Sequence, residues 1–87
     1  NANILGKQAE CRLRQGEIDQ ARIAAEYSLE LDPEEKTALY VVVQVYQHMG
    51  HIESAIRHQE ILQSLEPHVE EHGRMLRSLK ETLSPRA

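Results

Sequence analysis

Tryptophan and phenylalanine are both missing from this chain, and three tyrosines are its only large aromatic residues. A core must therefore be filled by Leu, Ile, Val and Ala, which suits closely packed helices. A single cysteine, Cys11, excludes an intrachain disulfide and fits a reducing compartment, which favours the cytoplasm. No run of about twenty apolar residues is present, so no membrane-spanning helix is expected. Positive charge is scarce as well: ten Lys and Arg face fourteen Asp and Glu, for a net charge of −4. Nucleic acid is thus not an expected partner, because counterion release needs a basic face. The opening stretch from Asn1 to Gly6 shows no basic segment followed by an apolar one, and so no visible signal peptide. It also lacks an initiator Met, and the expectation is a segment of a longer chain.

What is present fits one small domain, residues 1–87, with 40% hydrophobic and 28% charged residues. A domain this short buries only about 60–65% of its unfolded surface, so a thin stability margin is expected.

Internal repetition organises the rest. Sliding the chain along itself by 34 residues aligns seven identical pairs: Leu5/Leu39, Gly16/Gly50, Ile18/Ile52, Ala21/Ala55, Glu26/Glu60, Leu31/Leu65 and Pro33/Pro67. Chance gives roughly two at ordinary residue frequencies. Asp19/Glu53 and Asp32/Glu66 match in kind. Each match has a mechanical use. Gly16 and Gly50 suit the left-handed residue that ends a helix. Ala21 and Ala55 are small enough for two helices to approach. Pro33 and Pro67 stop the second helix of each hairpin and can occupy the first turn of the next. The spacing predicts helices near 2–15, 18–31, 35–49, 52–65 and 68–83. Leu39 to Tyr46 is rich in β-branched residues and reads locally as a strand. No second such run exists to pair with it, and the repeat register assigns it to a helix. In the fourth helix the apolar stripe is broken only at Gln59, and in the fifth it carries His72 among Val69, Leu76, Leu79 and Leu83.

At these positions the chain resembles the tetratricopeptide repeat family. The resemblance covers residues 2–67 and is strongest over Gln15-Gly-Glu-Ile-Asp-Gln-Ala21 and Leu29-Glu-Leu-Asp-Pro33. The family's typical forms are Gln-Gly-Asp-Tyr-Asp-Glu-Ala and Leu-Glu-Leu-Asp-Pro. The second copy, Met49-Gly-His-Ile-Glu-Ser-Ala55 to Leu65-Glu-Pro67, is looser. Gln8, Arg12, Ala25, Gln59 and Leu62 depart from the family's usual residues, and Val43 is bulky where Gly or Ala is usual. The resemblance implies an all-α fold: two tandem helix-turn-helix repeats, about 2–35 and 36–69, and a capping helix over about 68–83. The stack would form a right-handed superhelix whose concave groove, lined by the first helix of each hairpin, takes a peptide or helix of another protein. The expected function is therefore a protein–protein interaction module that scaffolds an assembly, not an enzyme. The alternative is a structural, self-associating segment of a longer repeat protein.

In that groove the first helices would display Asn3, Lys7, Glu10 and Arg14, then Thr37, Tyr40, Val41, Gln44, Gln47 and His48. The last helix would add Arg74, Met75 and Ser78. The family's clamp for a terminal carboxylate would fall on Gly6, Glu10, Tyr40 and Gln44, and Glu10 would repel the ligand. No cofactor is expected. His68 and His72 are spaced to share a helix face, and His48 and His51 flank a turn. Neither pair has the third and fourth ligands of a zinc site. Cys11 reads as a half-buried packing residue. Ile4, Leu5 and Leu13 on the poorly matching first helix are expected to want cover, which makes homo-oligomer formation through that helix possible.

Overall fold

The computed structural model describes residues 1–83 and is all-α. Its helices are α1 (Ala2–Arg14), α2 (Ile18–Leu31), α3 (Lys36–Met49), α4 (Ile52–Leu65) and α5 (Glu70–Leu83). They fall within two residues of the expected bounds at every end. The strand-like valine run is helical. A valine costs a few tenths of a kcal/mol in a helix, while burying its side chain returns about 1.5 kcal/mol or more. Val41, Val42, Val43 and Val45 are all buried, so burial decides the conformation.

The turns repeat with the sequence. Gly16 and Gly50 have φ of 79° and 83°, the left-handed region that a side chain would resist. Around Gly16, Glu17 N–H donates to Arg12 O at 2.9 Å and Gly16 N–H to Leu13 O at 3.0 Å. Around Gly50, His51 N–H donates to Tyr46 O at 2.8 Å and Gly50 N–H to Gln47 O at 3.2 Å. Each is a Schellman ending, and the donors and acceptors correspond at a shift of 34. The helix starts correspond too. Asn1 Oδ1 accepts from Ile4 N–H at 3.0 Å and Glu35 Oε1 from Ala38 N–H at 3.1 Å, each capping the first helix of its hairpin. Pro33 and Pro67 lie in the turns after α2 and α4, ahead of α3 and α5, and not in their first turns. The turn closes instead through Glu35 N–H to Asp32 O and Val69 N–H to Glu66 O, both 3.1 Å.

Two clusters make the core. Ala9, Ala21, Ala25, Ala38, Val41, Val42 and Val45 join the first hairpin to α3. Leu39, Val43, Ala55, Leu62 and Leu79 join α3 to α4 and α5. Helix α3 packs on both α1 and α2, whereas α5 packs on α4 and stands off from α3. Gly6 lies where α1 approaches α3. A Cβ there would meet the Glu35 carboxylate and lie 3.4 Å from Ala38 N.

Three expectations are corrected here. Val41 is only 2% exposed and packs beside Ala9 and Ala38, so it is not a groove residue. Helix α1 comes so near that it covers the valine. Cys11 is exposed, not half-buried. Its register partner Val45 is covered because α1 and α2 precede it, and among the described residues nothing covers the corresponding side of α1. His68 precedes α5 and so does not share a helix face with His72.

Candidate functional site

Where α5 stands off from α3, a cleft of about 380 Å³ opens. Its apolar walls are Val43, Val69 and Met75 with the ring of Tyr40; Gln44, Glu71 and Arg74 edge it, and Gln59 and His72 lie behind. The cleft is at the low end of the size range for ligand sites, and its mixture of apolar wall and few polar groups is typical of them.

The back of the cleft is a connected polar chain. Glu66 caps the end of α4, its N–H donating to Leu62 O at 2.8 Å, which brings its carboxylate beneath α3 and the first turn of α5. Tyr40 Oη donates to Glu66 Oε1 at 2.8 Å. His72 Nε2 lies 2.9 Å from the same oxygen and 3.3 Å from Tyr40 Oη. Lys36 Nζ stands 3.6 Å from Glu66 Oε2. The donations from His72 and Tyr40 hold the Glu66 carboxyl below its ordinary 4.5, with Lys36 adding to the effect against partial burial. Tyr40 moves the other way. Desolvation, the bond to Glu66 and the nearby Glu71 charge push its phenol up to about 12.

The ionised carboxylate sets the direction of the bonds made to Glu66. An ionised Glu66 only accepts, so His72 Nε2 carries the proton and donates. Gln59 Nε2 lies 2.9 Å from His72 Nδ1 on the other side of the ring. Gln59 and His72 are each 3% exposed, and their mutual bond meets the requirement that buried polar groups be paired.

Among the residues expected in a groove, Tyr40, Gln44, Arg74 and Met75 meet at this cleft. Gln47 and His48 are exposed farther along α3, and Ser78 is exposed on α5. On α1, Lys7 is exposed, while Glu10 lies 3.6 Å from Arg14 in an exposed ion pair, outside the cleft. Lys36, Val43, Gln59, Glu66, Val69, Glu71 and His72 were not anticipated as site residues. The available signal was the pair of polar interruptions, Gln59 and His72, in otherwise apolar stripes. No group of three or more His, Cys, Asp or Glu able to hold a metal ion occurs among the described residues. No described helix is long and apolar enough to cross a membrane.

Compared with known proteins, the chain matches no family model and no curated protein.

Proposed function

We propose that this chain is a protein-binding module of the tetratricopeptide repeat type, taking a segment of another protein on the face formed by α3 and α5. The observation that carries the reading is the α3–α5 cleft, at which Tyr40, Gln44, Arg74 and Met75 converge. A part-buried polar chain behind an adaptable Met and an amide supports a recognition role. The 34-residue recurrence of turn bonds and helix caps supports the family assignment.

Peptides selected on this protein from a random library test the reading. Binding should fall at least tenfold on joint Gln44→Ala and Met75→Ala replacement, roughly the loss of one to two good contacts. It should survive Ile61→Ser on α4. Peptides that bind equally well to the Gln44/Met75 variant would overturn the assignment of this face.

A second reading, self-association through the first hairpin, has its own observation. Ile23, Tyr27 and Leu31 form an exposed stripe at intervals of four on α2, each more than half exposed, and Ile4 on α1 is exposed too. Ile23 and Tyr27 line a shallow cleft with Leu5 and Arg12. Light scattering across a concentration series tests it: a mass that rises with concentration and returns to monomer on Ile23→Ser/Tyr27→Ser replacement supports it, and a constant monomer removes it.

A further inference from the structure

His72 is the buried titratable group that the binding reading leaves unused. It lies in the first turn of α5, 3% exposed, with both ring nitrogens engaged. Nε2 faces the Glu66 carboxylate at 2.9 Å, and Nδ1 faces the Gln59 amide of α4, also at 2.9 Å. The two neighbours differ in kind. An ionised carboxylate only accepts, so it suits an Nε2 that carries a proton in either charge state of the ring. A primary amide offers an NH2 at one end and a carbonyl at the other, in nearly the same shape. The NH2 end suits a bare Nδ1, and the carbonyl end suits a protonated one.

Little opposes reversal of that amide. Among the described residues the Gln59 side chain makes no hydrogen bond except the one to His72, so turning it breaks no other. Arg22 Nε is the one described buried side-chain atom without a partner, so the second end of the Gln59 amide is within reach of water. Without reversal, a proton on Nδ1 would set N–H against N–H at 2.9 Å, and burial would disfavour the charge. The groups facing the ring decide whether it can be charged. Glu66 touches it from the end of α4, and Glu71 is exposed on its own helix. From α3, Tyr40 Oη lies 3.3 Å from Nε2 and is a neutral phenol. Lys36 opposes a charge, but it stands at 3.6 Å from the other Glu66 oxygen and is more than half exposed; Arg74 is exposed at the cleft edge. The carboxylate in direct contact outweighs cations that are better solvated.

We propose that Gln59 and His72 form a proton switch behind the α3–α5 cleft: as pH falls Nδ1 takes a second ring proton from solvent, and the Gln59 amide turns over to accept it. No covalent bond other than the new N–H is made or broken, and the ring stays hydrogen-bonded on both sides in either state. The reading of the α3–α5 face as a binding face enters only in what the added charge acts on. A positive charge at the back of the cleft favours acidic segments over basic ones.

Nitrogen-15 spectra of the histidine rings and glutamine side chains, recorded from about pH 8 to about pH 5, test the switch. Nε2 should keep its proton throughout, Nδ1 should pass from bare to protonated, and the Gln59 NH2 resonances should move with the same midpoint. Gln59→Met has no carbonyl to offer and should make the second proton about tenfold harder to add, a fall of about one pH unit in the midpoint. Gln59→Glu keeps the size, accepts when ionised and should raise the midpoint; it carries the test if the Met variant does not fold. An Nδ1 that does not change state across that range in the folded protein overturns the proposal. So does a Gln59 amide that stays still while the ring titrates, or a midpoint indifferent to the variants. Library-selected peptides carrying an acidic residue should bind more tightly below the midpoint than above it, and equal binding overturns the coupling to the face. Selected peptides whose binding ignores Gln44 and Met75 would remove the binding face and leave the switch standing.

Discussion

Helix α3 has a first helix on either flank, and it meets α1 and α5 in opposite ways. On the α1 side the backbones approach closely. On the α5 side they stand apart and a cleft opens. The 34-residue register puts the cause in particular residues. The near flank is built from Ala2, Gly6 and Ala9 against Ala38 and Val41; the corresponding residues on the far flank are Lys36, Tyr40 and Val43 against His72 and Met75. Every small residue has been exchanged for a larger one. The difference is also chemical. The near flank is held by apolar packing, with Asn3 Nδ2 donating to Glu35 Oε2 at 3.4 Å at its edge. On the far flank the extra bulk carries polar groups, and those groups satisfy one another. The same hairpin geometry thus makes a sealed junction with small residues and a recognition cleft with large ones.

The strongest way to break the contrast is to detach α5. Leu79 is fully buried and links α5 to Leu39, Val43 and Leu62. Leu79→Ala should cost about 2–5 kcal/mol, read from urea unfolding. A loss under 1 kcal/mol would mean that α5 is held by something other than this packing. Next comes an attempt to make the near flank resemble the far one. Gly6→Tyr places the bulk of Tyr40 where a Cβ already meets the Glu35 carboxylate. Overpacking and loss of the α3 cap should together cost about 1–3 kcal/mol. Unchanged stability would refute the small-residue explanation of the close approach.

Tyr40→Phe is milder, since it removes one hydroxyl and keeps the ring. The expected loss is about 0.5–1.5 kcal/mol. The Glu66 carboxyl should also titrate closer to its ordinary value, measurable by carboxyl carbon resonances; a Glu66 titration that does not move would show that Tyr40 is not one of its stabilising donors. The smallest effect is on pH dependence. Tyr46 on the near side donates to Glu26 at 2.6 Å as Tyr40 does to Glu66, and desolvation with that bond pushes its phenol up to about 12 as well. A raised folded value means that the folded state favours the protonated phenol. The stabilisation is therefore complete below the ordinary 10 and disappears as pH rises through about 12. Glu66, lowered, works in the other sense, contributing above 4.5 and losing its contribution as pH falls through its depressed value. Phenolate absorbance and thermal melts at stepped alkaline pH check the tyrosines. Phenolate formation by Tyr40 and Tyr46 at the ordinary value would contradict their bonds to Glu26 and Glu66.

The order of helices and the position of every turn could be read from the sequence. Gly16 and Gly50 are required by a left-handed backbone, and Pro33 and Pro67 by helix ends, so local chemistry alone places them. The cleft was only half readable. The family resemblance put Tyr40, Gln44, Arg74 and Met75 in a groove, but it put Val41 there too. Whether a residue on that face is open or covered depends on how near the next helix comes, and the helix that covers Val41 belongs to another hairpin. Gln59 and His72 looked like flaws in two apolar stripes. Thirteen residues apart on different helices, they explain each other only once α4 and α5 are packed together.

The position of α3 also bears on the order in which the molecule opens. Six of its residues are buried, and neighbours lie on both of its flanks, whereas α1 buries only Gly6 and Ala9 and α5 is anchored chiefly on α4. Amide hydrogens of α3 should exchange only with global unfolding, while those of α5 exchange through a smaller, local detachment. Detachment of α5 removes one wall of the cleft. An occupant bridging α3 and α5 would then slow exchange in α5 far more than in α1, so protection of the last helix would record that the cleft is filled.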